Sequence, residues 1–247
     1  IFGGGIMSVL EVLHIPTLTK QRVPVKTLVE QLQPTPENKR LIESHVASIY
    51  LVSLLNEQTI HYRAYKDDDY SYQAIYVLQI TLKKNDQLTD LTSQLHAAFP
   101  EPTLLLMEHM DKQWVSVAPK RISKIDQTKT VLEDNVVQEI NMNSMHYLNL
   151  SQITAINLKD YYTKIVQIAY KIGVLNLIKV YPTADLDYKS IIKEYQAIQG
   201  NINNLKEQYK KASMKSEKMD IDDQIYDEEM KQRQLIKKLR GDTIGIK

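Results

Sequence analysis

The chain has 247 residues, 31 Lys and Arg against 30 Asp and Glu for a formal net charge of +1, and no cysteine. That length gives one medium domain or two small ones and buries roughly 70% of the extended surface, so a core forms without staples. Missing thiols exclude disulfides, thiolate metal sites and cysteine nucleophiles, near-neutrality argues against a wholesale nucleic-acid coat, and no uncharged apolar run reaches the ~18 residues of a membrane span.

In chain order, Ile1 to Ile6 reads as an expression scar ahead of Met7 and is set apart from the fold. The rest divides into an α+β domain over 7–150, a packing helix and connector over 151–182, and a helical hairpin or coiled-coil tail over 183–247. Met7 to Pro24 holds Pro16 and Pro24 and reads as an irregular or short helical lead-in. Val25 to Gln31 forms a helical turn or two. Thr35-Pro36-Glu37-Asn38 then starts a helix to about His45, with Thr as cap and Pro at the first helical position. Val46–Leu55 and Thr59–Tyr62 are expected to be two strands joined at Asn56-Glu57, and Tyr65–Tyr72, with Asp67, Asp68 and Asp69, an exposed loop.

Ala74–Leu82 (AIYVLQITL) is rich in β-branched and aromatic residues and reads as a central strand. Asp86 is expected to cap the next helix, in which Leu88, Leu91, Leu95 and Ala98 recur at helical spacing until Pro100 and Pro102 stop it. Thr103–Met107 and Trp114–Ala118 read as a hairpin, and Thr130–Tyr147 as β-leaning sequence that supplies an edge strand. Asn157 caps an amphipathic helix with Gly173 as its left-handed stop. Ile191, Tyr195, Ile198, Ile202, Leu205 and Tyr209 repeat at steps of four and three, a heptad seam. A polar turn over Ser213–Asp220 leads to a second amphipathic helix ending at Gly241. The fold class is therefore α+β, a mixed or antiparallel sheet covered by helices and followed by a helical hairpin or coiled coil. The seam closes within the chain or is open to a partner, so its six residues are candidate partner-binding positions.

Chemistry-bearing patterns are few. The six histidines lack the i, i+4 pairing of a helical zinc site. Without a P-loop or a dinucleotide fingerprint no cofactor is expected, and no metal set or catalytic residue is assigned. A strand ending in Lys83 behind an aspartate-rich loop has the layout of metal-dependent nucleases, whose carboxylates hold Mg²⁺ beside a lysine. Here Gln79 and Thr81 stand at the matching positions. Lys83 and Lys84, with Lys120, Arg121 and Lys124, form a candidate DNA-contacting patch if both groups share one edge of the sheet.

The order VPVKTLVEQL, ASIYLVSLLNEQTIHY, YVLQITLKKN and LTDLTSQLHAAFPEPTLLLMEHMDKQWVSVAPKR resembles the bacterial and archaeal domain of unknown function family 4391, over about residues 12 to 240. Members resemble E-I-E-L-K at the central strand, where this chain has Gln79-Ile80-Thr81-Leu82-Lys83. The absence of cysteine suits a cytoplasmic location, and the resemblance implies an accessory subunit of an antiphage-defence or restriction-modification system. Its partner would be a helicase or DNA methyltransferase, with DNA contact and self-association through the C-terminal helices both open. The alternative is a degenerate or active metal-dependent nuclease-like domain.

Overall fold

A computed structural model describes residues 7–32, 34–183 and 186–241, so the expected scar lies outside the described residues. The described residues fall into two compact units divided after Ile172.

The first unit opens with α1 (Val9–Val12), β1 (Gln21–Val23), α2 (Val25–Leu32) and α3 (Pro36–His45). β1 is a strand where only an irregular lead-in was expected; it lies on β2 (Val46–Leu55), with Arg22 opposite Tyr50. Thr35 caps α3 as expected, accepting from Asn38 N at 3.3 Å. After β2 the expected second strand is instead the single-turn helix α4 (Glu57–Ile60). Its cause is a capping box: Asn56 Oδ1 accepts from Gln58 N and Thr59 N, while Thr59 Oγ1 accepts from Asn56 N.

The expected exposed loop is a small hairpin, β3 (Tyr65–Lys66) and β4 (Ser71–Tyr72), whose Tyr72 is buried. Asp67 builds the turn, Oδ1 accepting from the Asp69 and Tyr70 amides at 2.9 and 2.6 Å. Then come β5 (Ile75–Leu82), α5 (Leu88–Ala97), β6 (Thr103–His109), β7 (Lys112–Val117), β8 (Lys120–Ile122), β9 (Thr130–Leu132), β10 (Val136–Ile140) and α6 (Leu158–Ile178), whose residues from Gly173 on are counted with the second unit. The main sheet has six strands in the order β1-β2-β5-β6-β7-β10, with β10 at an edge. Only β5 and β6 are parallel, because α5 carries the chain back between them.

Alternation along the strands sorts the sheet into two faces. Leu78, Ile80 and Leu82 of β5 pack with Ile49, Leu105, Met107 and Trp114 against Leu28 and Val29 of α2, Ile42 of α3, and Leu91 and Leu95 of α5. The lone tryptophan is thus a core residue. On the other side, the buried hydroxyl of Tyr162 in α6 donates to Thr103 O at 2.7 Å and accepts from Ala118 N at 2.9 Å, tying β6 and β7 to that helix.

Two termini differ from expectation. The position before α5 is Gln87, left-handed at φ 51°, and its side chain makes no cap. Asp86 does not cap α5; its Oδ1 lies 3.1 Å from Nε2 of buried His45. At the other end of the unit, Asn157 caps α6 through Asp160 N at 2.9 Å. α6 nevertheless runs through Gly173, and the left-handed residue at its end is Lys179 at φ 59°. Val174 beyond it is buried and Leu175 and Ile178 are half-buried, and burying the one valine, at roughly 1.5 kcal/mol or more, already outweighs the ~1 kcal/mol penalty of a helical glycine.

The second unit contains α7 (Tyr188–Lys211) and α8 (Lys215–Leu239), packed antiparallel. Asp187 caps α7 through Ser190 N at 3.2 Å. The connecting turn is only 212–214, because the polar sequence from Lys215 is already helical. Good helix formers such as Lys, Glu and Met fill it.

Candidate functional site

Side chains at odd positions of β5 point away from the core cluster, which puts Gln79 and Thr81 on the second face of the sheet. There Gln79 Oε1 accepts from Lys20 Nζ at 2.7 Å, and Thr81 Oγ1 donates to Glu108 Oε1 at 3.1 Å. Glu108 lies opposite Thr81 on β6, so it is the one carboxylate at this pair of strand ends that the register supplies. Lys83 turns aside: its amide bonds His45 O at 2.7 Å, and its ammonium donates to Glu43 O at 2.8 Å, closing the C-terminal end of α3. No group of three His, Asp or Glu side chains poised for a metal occurs among the described residues.

The five candidate DNA-contacting cations do not form one patch. Val77 of β5 is paired with Leu104 of β6, and Leu104 with Val117, the last residue of β7. Lys120 and Arg121 therefore follow a strand that ends where β5 begins, whereas Lys83 and Lys84 stand where β5 finishes. At about 3.3 Å per residue the two groups lie about 20 Å apart. Even the neighbours divide: Lys83 lines one cleft beside α3, while Lys84 lines another with Arg40, Gln87 and Asp90. Arg121 is half-buried and bonds Ile122 O at 3.3 Å; Lys124 is exposed.

Lys120, expected among the surface cations, is enclosed. It is 3% exposed, and its ammonium donates to Phe99 O at 2.6 Å and Glu101 O at 2.7 Å. Burial pulls its pKa down to about 7, against the opposing pull of the Glu101 carboxylate. That carboxyl is itself held above its ordinary range by burial, and among the described residues its enclosed Oε2 has no hydrogen-bond partner. A lysine held this way cannot reach a phosphate.

A second buried polar group lies between α5 and the sheet. His96 Nδ1 is 2.5 Å from Thr103 Oγ1 and Nε2 is 2.9 Å from Ser116 Oγ. Thr92 donates to Leu88 O and accepts from Asn135 Nδ2, leaving Asn135 Oδ1 to accept from Ser116. The chain of donors then fixes the tautomer: Thr103 donates to Nδ1, and Nε2–H donates to Ser116. Burial and nearby Lys120 hold His96 well below the usual histidine range, so it is neutral.

The six seam residues of α7 all turn inward or partly inward, Ile191, Ile198 and Ile202 being buried and Tyr195, Leu205 and Tyr209 half-buried. α7 pairs with α8 of the same chain. Asn201 Nδ2 donates to Glu228 Oε2 at 3.2 Å, Gln232 Nε2 to Gln199 Oε1 at 2.8 Å, and Lys206 lies 3.7 Å from Glu229. The stripe read as a partner-binding face is thus occupied within the hairpin.

A cleft of about 470 Å³ lies at the β1 edge of the first unit, between β1, α2 and α3. Arg22, Lys26, Lys39 and Lys83 line it with Glu30 and Glu43, and Val29 and Val46 give it an apolar floor. Sequence reading found only Lys83 of these cations, because β1 and the returns of α2 and α3 bring the others to it.

With this order of strands and helices in place, a family model described as a domain of unknown function, DUF4391, matches residues 14–232. The chain belongs to the DUF4391 family. No curated protein and no solved structure matches it. In this DUF4391 chain the match takes in the whole six-stranded sheet and all but the last residues of α8. Among the described residues no helix is long and apolar enough to cross a membrane.

Proposed function

We propose that the chain is a non-catalytic interaction module, an accessory subunit that acts in the cytoplasm with a helicase or DNA methyltransferase of an antiphage-defence or restriction-modification system. The observation that carries this reading is the state of the central strand. Gln79 and Thr81 occupy the positions where the resembled pattern has glutamates, and both are engaged, by Lys20 and Glu108. An amide and a hydroxyl bring no charge to a divalent ion, and Glu108 alone is a poor substitute for the two or more carboxylates such chemistry uses. The reading leaves the α+β body and the outer faces of the hairpin as surfaces for partners.

Co-purification of the tagged full chain from its native host, followed by mass identification, tests the reading. Recovery of a helicase or methyltransferase in stoichiometric amount is the expected result. A chain recovered alone, or Mg²⁺-dependent DNA cleavage that Lys83→Ala or Glu108→Gln abolishes, would overturn it.

A further inference from the structure

The cleft at the β1 edge holds four cations against two carboxylates, in a chain whose whole formal charge is only +1. The cleft thus carries a net charge of +2, and the residues outside it sum to −1. The two carboxylates are not spread evenly through it. Glu43 is 3.9 Å from Lys39 and partly neutralises that lysine, and its main-chain oxygen holds Lys83 at 2.8 Å. Arg22 and Lys26 are exposed, on β1 and in the first turn of α2, and that turn carries no acidic residue.

We propose that this cleft binds the backbone of single-stranded DNA. Arg22 and Lys26 would take successive phosphates, Lys83 would sit fixed at the far wall, and exposed Pro24 with half-buried Val25 would give an unstacked base an apolar surface to lie on. This rests on reading the chain as a module that works beside DNA-processing enzymes, and it adds where and in what form the nucleic acid is held. Two features favour one strand over a duplex. A space of about 470 Å³ is small beside a duplex, whose major groove alone is about 12 Å wide. An apolar surface between cationic walls also matches a chain whose charge is on its backbone and whose bases are free to turn inward. Arg22 further offers a planar fork that matches phosphate geometry.

The test is fluorescence anisotropy of a labelled oligothymidylate titrated with the full chain over a range of salt. Binding is expected to weaken with salt. The double variant Arg22→Gln/Lys26→Gln should bind roughly tenfold more weakly at low salt, with a log–log salt slope shallower by about 1.4 for the two lost phosphate contacts. Glu30→Lys should bind more tightly, a gain that misfolding does not produce. Lys66→Gln/Lys129→Gln removes the same charge elsewhere and should bind as the parent does. Equal losses in both double variants, no binding by the parent, or a duplex competing as well as the single strand would overturn the proposal. Co-purification of the helicase or methyltransferase is scored in parallel. Its survival with no oligonucleotide binding removes the cleft site and leaves the accessory reading, and its loss in Arg22→Gln/Lys26→Gln with no change in anisotropy makes the cleft a protein interface.

Discussion

Lys120 donates from its ammonium to the main-chain oxygen of Glu101 at 2.7 Å, inside the fold and close to that residue's own half-buried carboxylate. The unfolded chain holds a proton on this lysine up to pH 10.5, while the folded chain gives it up near pH 7. Between those values the unfolded state binds more protons, so this group makes stability rise with pH, by up to about 1.4 kcal/mol per unit. Urea unfolding across that window should show the rise in the parent and a flatter profile in Lys120→Met. Parallel profiles would place the charge of Lys120 in solvent.

His96 gives a second dependence, in a lower window. Its folded pKa is well below 6.5, so its neutral network is intact above 6.5 and the unfolded chain alone gains a proton as pH falls past that value. Stability is lost progressively on acidification toward the folded pKa. Replacing the ring by His96→Leu should remove that part of the acid sensitivity. It should also destabilise the protein by about 2 to 4 kcal/mol at pH 8, since the hydroxyls of Thr103 and Ser116 lose their buried partner. Unfolding midpoints at pH 8 and pH 5.5 check both; an unchanged difference between them would show that His96 is protonated in the fold.

How much of this was legible depends on whether the signal was local. The β5–α5–β6–β7 run could be read because strand alternation, helical spacing and Pro100 and Pro102 all agree over adjacent residues. α4 was missed although Asn56 and Thr59 form its capping box, because the apolar run before them suggested a strand partner instead. β3 and β4 are two residues each, too short to show a period, and the three aspartates between them read as solvated sequence. Nothing local distinguishes Lys120 from Arg121: one goes inward and one stays half-exposed because adjacent strand residues face opposite sides. The cleft is the extreme case, since Arg22, Lys39 and Lys83 come from three segments that only the folded sheet edge and its helices bring together.

The tip of the β6–β7 hairpin carries a removable strain. Met110 is left-handed at φ 54° and 90% exposed, so its side chain buries almost nothing while its backbone sits where L-residues are disfavoured by about 1 to 2 kcal/mol. Met110→Gly should stabilise the protein by about 0.5 to 1 kcal/mol, the relief being reduced by the greater freedom of glycine in the unfolded chain. A rise in thermal midpoint checks it; a fall would mean that the methionine side chain contributes contacts despite its exposure.

The hairpin of α7 and α8 offers the sharpest separation between an apolar seam and its polar layer. Ile202 is 2% exposed, and truncation to alanine should lower hairpin stability by about 2 to 4 kcal/mol through lost burial and an imperfectly collapsed cavity. Across the seam Gln232 Nε2 donates to Gln199 Oε1 at 2.8 Å, both half-buried, and Gln199 Nε2 donates on to the exposed Asn203 Oδ1 at 3.1 Å, an acceptor that water satisfies when the amide is removed. Replacing both glutamines by leucine removes two polar groups together, so neither is left unsatisfied, and adds apolar area; the hairpin should become more stable. The gain should come with weaker discrimination against self-association, because a polar layer that fixes register and pairing has been lost. Helicity on heating and sedimentation of the full-length variants read these two effects separately. Loss of stability in the double leucine variant would show that the Gln199–Gln232 bond stabilises the hairpin in addition to fixing how it pairs.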